Sequence, residues 1–426
     1  MEENGSNGAG LGEFMGLEDI LIAATLLWLI SYFLHLPTPN NPATIYSDVC
    51  SIIIRSGMLT SDSLLIPYRD YEFEYPPIVA YMFIIVNIVL LTIPNESVWL
   101  RLIIGYTVMS ILLYIHAIGI IYVLCKLCGY VRRKNFHILL YFVMTPSFLI
   151  YTNYNWDLVG IFYALLGLYL FLRGKKVTSF ILFGFAAAGK IIPAIVALAA
   201  MAQIYMDRLD ECKKKNIKIT TITEAKALLY ALSYLAITII VFVLWNLPFI
   251  LISPKGWYSG LIQHHAKWYI ECSWLVWIEL TPFSTVAKSI GVSLVIILIT
   301  YVVSYLMMFE MSREERVVYG SAALMAGYLF STYVFTPQMS LMLLPLVALT
   351  PIDYVLVIIF DSLNAMIILT WFKYEDIYEL LGISVKHGFL DPFSIPQIFA
   401  TARCIVLLGM LIKLLRIIEK AKTKST

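Results

Sequence analysis

Apolar runs long enough to cross a lipid bilayer recur from one end of this 426-residue chain to the other, and that recurrence leaves few folds open. A spanning helix needs roughly 20 mainly apolar residues to cross about 30 Å of hydrocarbon. Runs of this kind, or close to it, lie at Leu17–Leu36, Leu100–Leu124, Phe136–Tyr151, Leu158–Leu172, Ala227–Ile252, Phe283–Phe309, Val317–Val334, Met339–Thr350, Tyr354–Trp371 and Ile398–Ile418. Charged residues make up 14% of the chain, against about a quarter in soluble domains. The runs therefore lack the polar faces that a soluble bundle presents to water. Barrel strands would alternate apolar with polar residues. These runs do not alternate, and helices are the remaining way to satisfy every backbone polar group inside lipid. The expected fold class is all-α, a polytopic helical membrane protein with about 11–13 transmembrane or re-entrant helices. A single integral membrane domain is expected over residues 1–426.

Two stretches do not fit one span each. Ile78–Ile93 is short and bounded by prolines, and is expected to be re-entrant or to lie on the surface. Val177–Met206 is too long for one helix and is interrupted at Gly189-Lys190-Ile191-Ile192-Pro193, so two short helices meeting at Lys190 are expected. The first run follows a Gly-rich acidic tail and reads as a spanning helix, without the pattern of a cleavable signal.

Basic residues sort the loops to two sides. Lys126 with Arg132–Lys134, Arg173–Lys176, Lys213–Lys215, Arg313 with Arg316, and the Lys413–Lys424 tail form clusters between runs. Such clusters mark cytoplasmic loops, so the net charge of +2 carries no implication of nucleic acid as a partner. The external side then receives Pro37–Pro77, Thr152–Asp157, the Lys190 break, Ser253–Pro282, Tyr333–Gln338 and Phe372–Pro396. Acids, histidines and aromatics gather there. The six cysteines are scattered. Cys125 and Cys128 form a lone CxxC at a helix end, without the second pair or histidines that a zinc site needs.

Chemistry concentrates in Pro67-Tyr68-Arg69-Asp70-Tyr71-Glu72-Phe73-Glu74-Tyr75-Pro76-Pro77. Carboxylates at a bilayer edge need partners or a polar cavity, and tyrosines suit the interface and hydrogen-bond sugars. The stretch reads either as an aromatic belt with solvated charges or as a substrate site. Lys190, at a helix break within an apolar stretch, is costly unless it serves an anion or snorkels to headgroups. Asp48 is the first acid after the first spanning run, and is either a helix N-cap for Val49–Ile54 or a functional carboxylate. Thr336-Pro337-Gln338 reads equally as a site or as a plain helix start. Asp361 lies within Tyr354–Trp371 on the same face as Asn364, where a structural partner in the bundle is expected.

The stretch "PYRDYEFEYPP" resembles the first-loop motif of polyprenol-phosphate-mannose-dependent mannosyltransferases of the GT-C superfamily. "NYNWDLVGIF" (Asn153 to Phe162), "AGKIIP" (Ala188 to Pro193) and "FTPQMSLMLLPLVAL" (Phe335 to Leu349) resemble further segments of that family in the same order, with "HHAKWYIECSW" (His264 to Trp274) a looser match. The resemblance implies a GT-C-like fold with a long first external loop. It implies inverting transfer of a sugar, mannose in this family, from a polyprenyl- or dolichyl-phosphate donor to a glycan or lipid acceptor. It puts Asp48 in the place of the general base. "DVC" offers one acid where some members carry two, which leaves a divalent metal an open question; no metal ligands are assigned. Donor and acceptor binding falls to Arg69, Asp70, Glu72, Glu74, Tyr75, Asn155, Asp157, Lys190, His264, His265, Lys267, Glu271 and Gln338. Membrane lipids are the remaining partner, and a prokaryotic cell membrane is favoured over the endoplasmic reticulum. No nucleotide-binding signature is present, as befits a donor carrying its own lipid anchor. The competing reading is a transporter or flippase for a lipid or small solute, which would centre on a midplane cavity around Asp361 and related halves.

Overall fold

A computed structural model describes residues 16–38, 46–309, 311–373, 376, 379–380, 388 and 390–422. Parts of the expected Pro37–Pro77 and Phe372–Pro396 loops, and the N-terminal tail, lie outside the described residues. Among these residues the named elements are all helices, with isolated bridges as the extended pairing. Among the described residues seven helices are long and apolar enough to cross a membrane, joined by four shorter apolar ones. The protein is an integral, multi-pass membrane protein.

Helix borders follow local chemistry. Thr220, Ser284 and Ser312 cap the Thr221–Ile252, Thr285–Met308 and Arg313–Ser331 helices by accepting from backbone N–H groups of their first turns, as short hydroxyl side chains do at helix starts. The helix expected over Phe136–Tyr151 does not form as one element. It breaks at Thr145, whose backbone is extended ahead of Pro146, and restarts as Pro146–Tyr151. Proline lacks an N–H and pushes its predecessor out of the helical region, so a new helix begins there. The break expected at Lys190 is present: Lys176–Gly189 ends on an extended Lys190, and a 3-10 turn leads into Ala197–Lys214.

The first helix, Leu17–His35, runs antiparallel to the 34-residue helix Val98–Val131. Tyr32 meets Thr107 and Thr25 meets Tyr114, each through a 2.8 Å hydroxyl contact. The Pro77–Leu90 helix has 14 residues, about 21 Å at 1.5 Å per residue. Its first half packs on Trp156 and Phe249. Its last turns abut Gly105, near the Tyr32–Thr107 contact, where a side-chain Cβ would sit 3.3 Å from Leu90. Both ends thus lie at one end of the bundle, and this helix does not cross. The Thr221–Ile252 and Thr285–Met308 helices expose apolar faces, including Leu229, Ile239, Leu251, Ile296 and Met308, as lipid-facing helices do. The Arg313–Ser331 helix is buried along most of its length. Its Gly320 admits Leu306 so closely that a Cβ would stand 2.6 Å from that side chain.

Ser147, Ser340, Asp361, Asn364 and Arg403 form a buried polar network inside the bundle, of the kind that low dielectric favours. Asp361 accepts from the Ser147 N–H at 2.9 Å and from its hydroxyl. Asn364 donates to Ser147, Ser340 and the Pro337 carbonyl. Arg403 donates to Asn364 and to the carbonyls of Cys272 and Phe335. Asp361 is therefore a structural partner, as expected, rather than the centre of a transport cavity.

The basic clusters share one end of the bundle. Arg313 donates to the Phe171 carbonyl at 2.9 Å, Arg316 to Gln203 at 2.6 Å, and Lys176 pairs with Asp207 at 2.8 Å. Lysine and arginine concentrate on the cytoplasmic side, so cysteines introduced at Lys214 and at His264 are expected to behave oppositely. An impermeant thiol reagent added outside intact cells labels His264→Cys and spares Lys214→Cys; the reverse pattern contradicts this topology.

Candidate functional site

At the opposite end from the basic clusters, a cavity of about 600 Å³ opens between the loops. Its wall starts with an amphipathic helix, Asp48–Arg55. Val49, Cys50 and Ile53 point into the core with 0–2% exposure. Asp48, Ser51, Ile52 and Arg55 line the cavity, at the i, i+3, i+4, i+7 spacing of one helical face. The helix is pinned at its start: the Ser47 hydroxyl donates to the Asn153 carbonyl at 3.1 Å, and the Asp48 N–H to the Tyr154 carbonyl at 3.0 Å.

Asp48 is the first residue of its helix, with Ser47 in the cap position. Its carboxylate does not serve as a cap. It accepts from Asn155 Nδ2 at 2.6 Å, while Asn155 Oδ1 accepts the Trp156 N–H at 2.5 Å and so fixes the amide. Burial raises the Asp48 pKa to about 6, against the opposing pull of hydrogen bonds from Asn155 and Tyr46 and the charge of Lys190. Desolvation disfavours the charged carboxylate, and a neighbouring cation favours it. Glu271 enters from the second long loop, anchored by backbone bonds to Tyr333 and Phe335. Its carboxylate accepts from Trp268 Nε1 at 2.6 Å, and burial with the nearby Asp48 charge raises its pKa to about 7.

Lys190 reaches the cavity from the helix break and pairs with Asp157 at 2.7 Å. Two glycines make this approach possible. A Cβ on Gly160 would stand 2.7 Å from the Lys190 Cβ, and one on Gly189 would stand 2.9 Å from Val159. The buried cation is thus already served by a protein anion. Asp157, fully buried, does not line the cavity, and its place is behind Lys190 rather than among substrate hydroxyls.

The dense first-loop motif divides. Tyr75 lines the cavity and packs on Trp156 with ring centroids 4.2 Å apart, and Glu74 lines it beside Arg55, to which it is ion-paired. Arg69 and Asp70 pair with each other away from it, and Asp70 also accepts the Ile66 N–H at 2.7 Å, closing the turn. The Arg69 guanidinium holds the Asp70 carboxyl below its usual range. Asp70 builds the loop instead of facing the cavity. Glu72 is exposed, with His264 Nδ1 3.7 Å from it, and Lys267 is likewise outside the lining. The cavity therefore brings together Asp48, Glu74, Tyr75, Asn155, Lys190, His264, His265, Glu271 and Gln338, and leaves out Arg69, Asp70, Glu72, Asp157 and Lys267.

Close packing fixes the two loops against each other. A Cβ on Gly256 would lie 1.8 Å from the Tyr68 carbonyl oxygen, and one on Gly260 would lie 2.1 Å from that of Phe73. Only glycine permits such approach. Several lining residues are not among the candidates named from the sequence: Tyr46, Arg55, Trp371 and Phe372, and Trp268 and Tyr269 within the His264–Trp274 stretch. Arg55 carried a usable signal, since it stands seven residues after Asp48 on the polar face of an otherwise apolar octet.

No protein-family model matches the sequence, and no curated protein matches it. Among solved structures the chain is similar to ArnT from Cupriavidus metallidurans bound to undecaprenyl phosphate. The two are 13% identical, with a TM-score of 0.42, over 93% of this chain and 76% of that one. A likeness this distant assigns nothing to the present chain.

Proposed function

We propose that the protein is a membrane glycosyltransferase that uses a polyprenyl-phosphate-linked sugar, mannose by motif resemblance, and passes it to a glycan hydroxyl with inversion at the anomeric carbon. The observation that carries this reading is the convergence of Asp48, Asn155, Lys190, Glu74 and Glu271 in one cavity at the loop end of a membrane bundle. Each of the quoted motif stretches sends at least one residue there.

In this reading the acceptor hydroxyl lies against Asp48. Its proton passes to the carboxylate as its oxygen bonds to the anomeric carbon, and the bond from that carbon to the phosphate oxygen breaks. The polyprenyl phosphate leaves with the electron pair. Lys190 keeps N–H donors beyond its bond to Asp157, and the cavity-facing ones serve the phosphate by charge-assisted hydrogen bonds. One displacement needs one base, and a carboxylate near pKa 6 is a better base than an ordinary aspartate yet still ionised at neutral pH. A prokaryotic cell membrane is the proposed location.

The sign of the pH dependence follows. Asp48 must be ionised to take up a proton, so kcat/KM rises with pH through about 6 rather than near the ordinary aspartate value. Stability moves the other way: the raised pKa favours the neutral acid in the fold, and that contribution is lost as pH rises through about 6. A limb near pH 4 in a pH–rate profile contradicts the assignment.

The reaction itself is tested by incubating membranes that contain the protein, and matched membranes that lack it, with labelled polyprenyl-phosphate-mannose and a crude glycan fraction. Label moves into a protein-dependent, mannose-bearing product. Equal labelling in both membranes sinks the proposal.

A further inference from the structure

The Arg55–Glu74 ion pair lines the cavity and has no part in the transfer step. Glu74 is 8% exposed, and one of its oxygens accepts from Arg55. The other, Oε2, is buried and accepts no hydrogen bond among the described residues. A buried carboxylate oxygen left unsatisfied is costly, and this one belongs to a residue that lines the cavity. Arg55 offers donors beside it, with 41% of its side chain open. A pyranose with adjacent hydroxyls matches this arrangement: one hydroxyl donates to the part of the Glu74 side-chain carboxylate that remains open to the cavity, and its neighbour accepts from the Arg55 guanidinium. Because the two charges already compensate each other, a neutral polyol fits better than an anion, which would have to displace Glu74.

Position decides which sugar this is. Asp48 and Arg55 stand at the two ends of the same cavity-lining helix face, seven residues and therefore about 10 Å apart along the axis. That distance exceeds one pyranose ring and suits two linked rings. Lys190 pairs with Asp157, two residues from the Asn155 that bonds Asp48, whereas Arg55 pairs with Glu74 at the other end of the Asp48–Arg55 helix. The pair thus lies at the end of that helix away from the stretch that holds Lys190. We propose that Arg55 and Glu74 form an acceptor subsite for the sugar next to the one being glycosylated, so that the acceptor is a glycan of at least two sugar units. This deepens the glycosyltransferase reading and rests on it for the direction of the acceptor.

Equilibrium binding tests the subsite without turnover. Methyl α-mannoside and the corresponding methyl α-mannobioside are titrated into the purified, detergent-solubilised protein, with binding followed by calorimetry or by the fluorescence of Trp268 and Trp371 in the cavity wall. The disaccharide binds at least about tenfold more tightly, as expected for a buried hydrogen-bonding site that only the larger ligand fills. In Glu74→Gln this preference falls toward parity. A set of monodeoxy disaccharides, titrated into the unaltered protein, locates the loss at two adjacent hydroxyls of the distal ring and guards against a misfolded variant. Equal binding of the two glycosides, a preference that survives Glu74→Gln, or indifference to every distal hydroxyl overturns the subsite. Tighter disaccharide binding with no transfer from a labelled donor leaves the subsite standing and counts against the transferase reading instead.

Discussion

Asp48→Asn is expected to give a folded protein that binds donor within a few-fold of the unaltered chain and turns it over on the order of 10²–10⁴ times more slowly. The selectivity comes from the surroundings of the side chain. The helix carrying Asp48 is held by Ser47 and by backbone bonds to Tyr154, neither of which the substitution touches. The amide is close in shape to the carboxylate. It loses the acceptor that Asn155 uses only if it turns its nitrogen toward that residue, and Tyr46 stands on the other side to bond it. What the amide lacks is basicity. Burial even favours the neutral side chain, so the variant should be no less stable than the parent near neutral pH. Steady-state turnover paired with a donor-binding titration checks the prediction. Near-normal turnover in folded protein removes Asp48 as the base. Glu271 then succeeds it, because Glu271 faces the same cavity, whereas Asp70 is tied to Arg69 outside it.

Lys190→Met should be strongly destabilising, not merely a binding defect. Asp157 is fully buried behind Lys190 and its second oxygen has no hydrogen-bond partner among the described residues. Removing one partner of a buried ion pair leaves an uncompensated charge and costs about 3–5 kcal/mol. Reading Lys190 from sequence as a cation awaiting a phosphate missed this internal partner, so the single variant mixes loss of fold with loss of donor binding. The double variant Lys190→Met with Asp157→Asn separates them. It should recover most of the thermal stability lost by the single variant, because no buried charge remains, while donor affinity stays low. Thermal unfolding in detergent and a donor titration on the same samples decide the matter. Recovery of donor affinity along with stability would show that Lys190 holds the fold and not the phosphate.

How much of this was legible in the sequence depends on the range of the interaction concerned. Spans such as Leu17–His35 and Tyr354–Trp371, and the break at Lys190, follow from local apolar length and from proline chemistry, and the structure agrees within a few residues. Thr145-Pro146 is equally local, yet the break it causes was masked by apolar residues on both sides. The cavity is a different matter. Its residues come from seven separated stretches, and nothing in the order of acids and tyrosines from Pro67 to Pro77 distinguishes Glu74, which faces inward, from Asp70 and Glu72, which do not. That choice is made by the Ile66–Asp70 turn and by the approach of Gly256 and Gly260 to the Tyr68 and Phe73 carbonyls, contacts between segments some 185 residues apart. Arg55 was hidden for another reason: the apolar run reads as ending at Ile54, and the register of Arg55 on the Asp48 face emerges only once Asp48–Arg55 is taken as one amphipathic helix.

The central claim is that a phosphate-linked sugar leaves its lipid in this cavity in a single inverting displacement. The most direct measurement supplies purified protein in lipid with synthetic β-linked polyprenyl-phosphate-mannose and a mannobioside acceptor, and follows both products. Polyprenyl phosphate is expected to be released in step with a trisaccharide whose new linkage is α by nuclear magnetic resonance, both slowed on the order of 10²–10⁴-fold in Asp48→Asn. A donor that remains intact, or a new linkage that retains the β configuration, contradicts it.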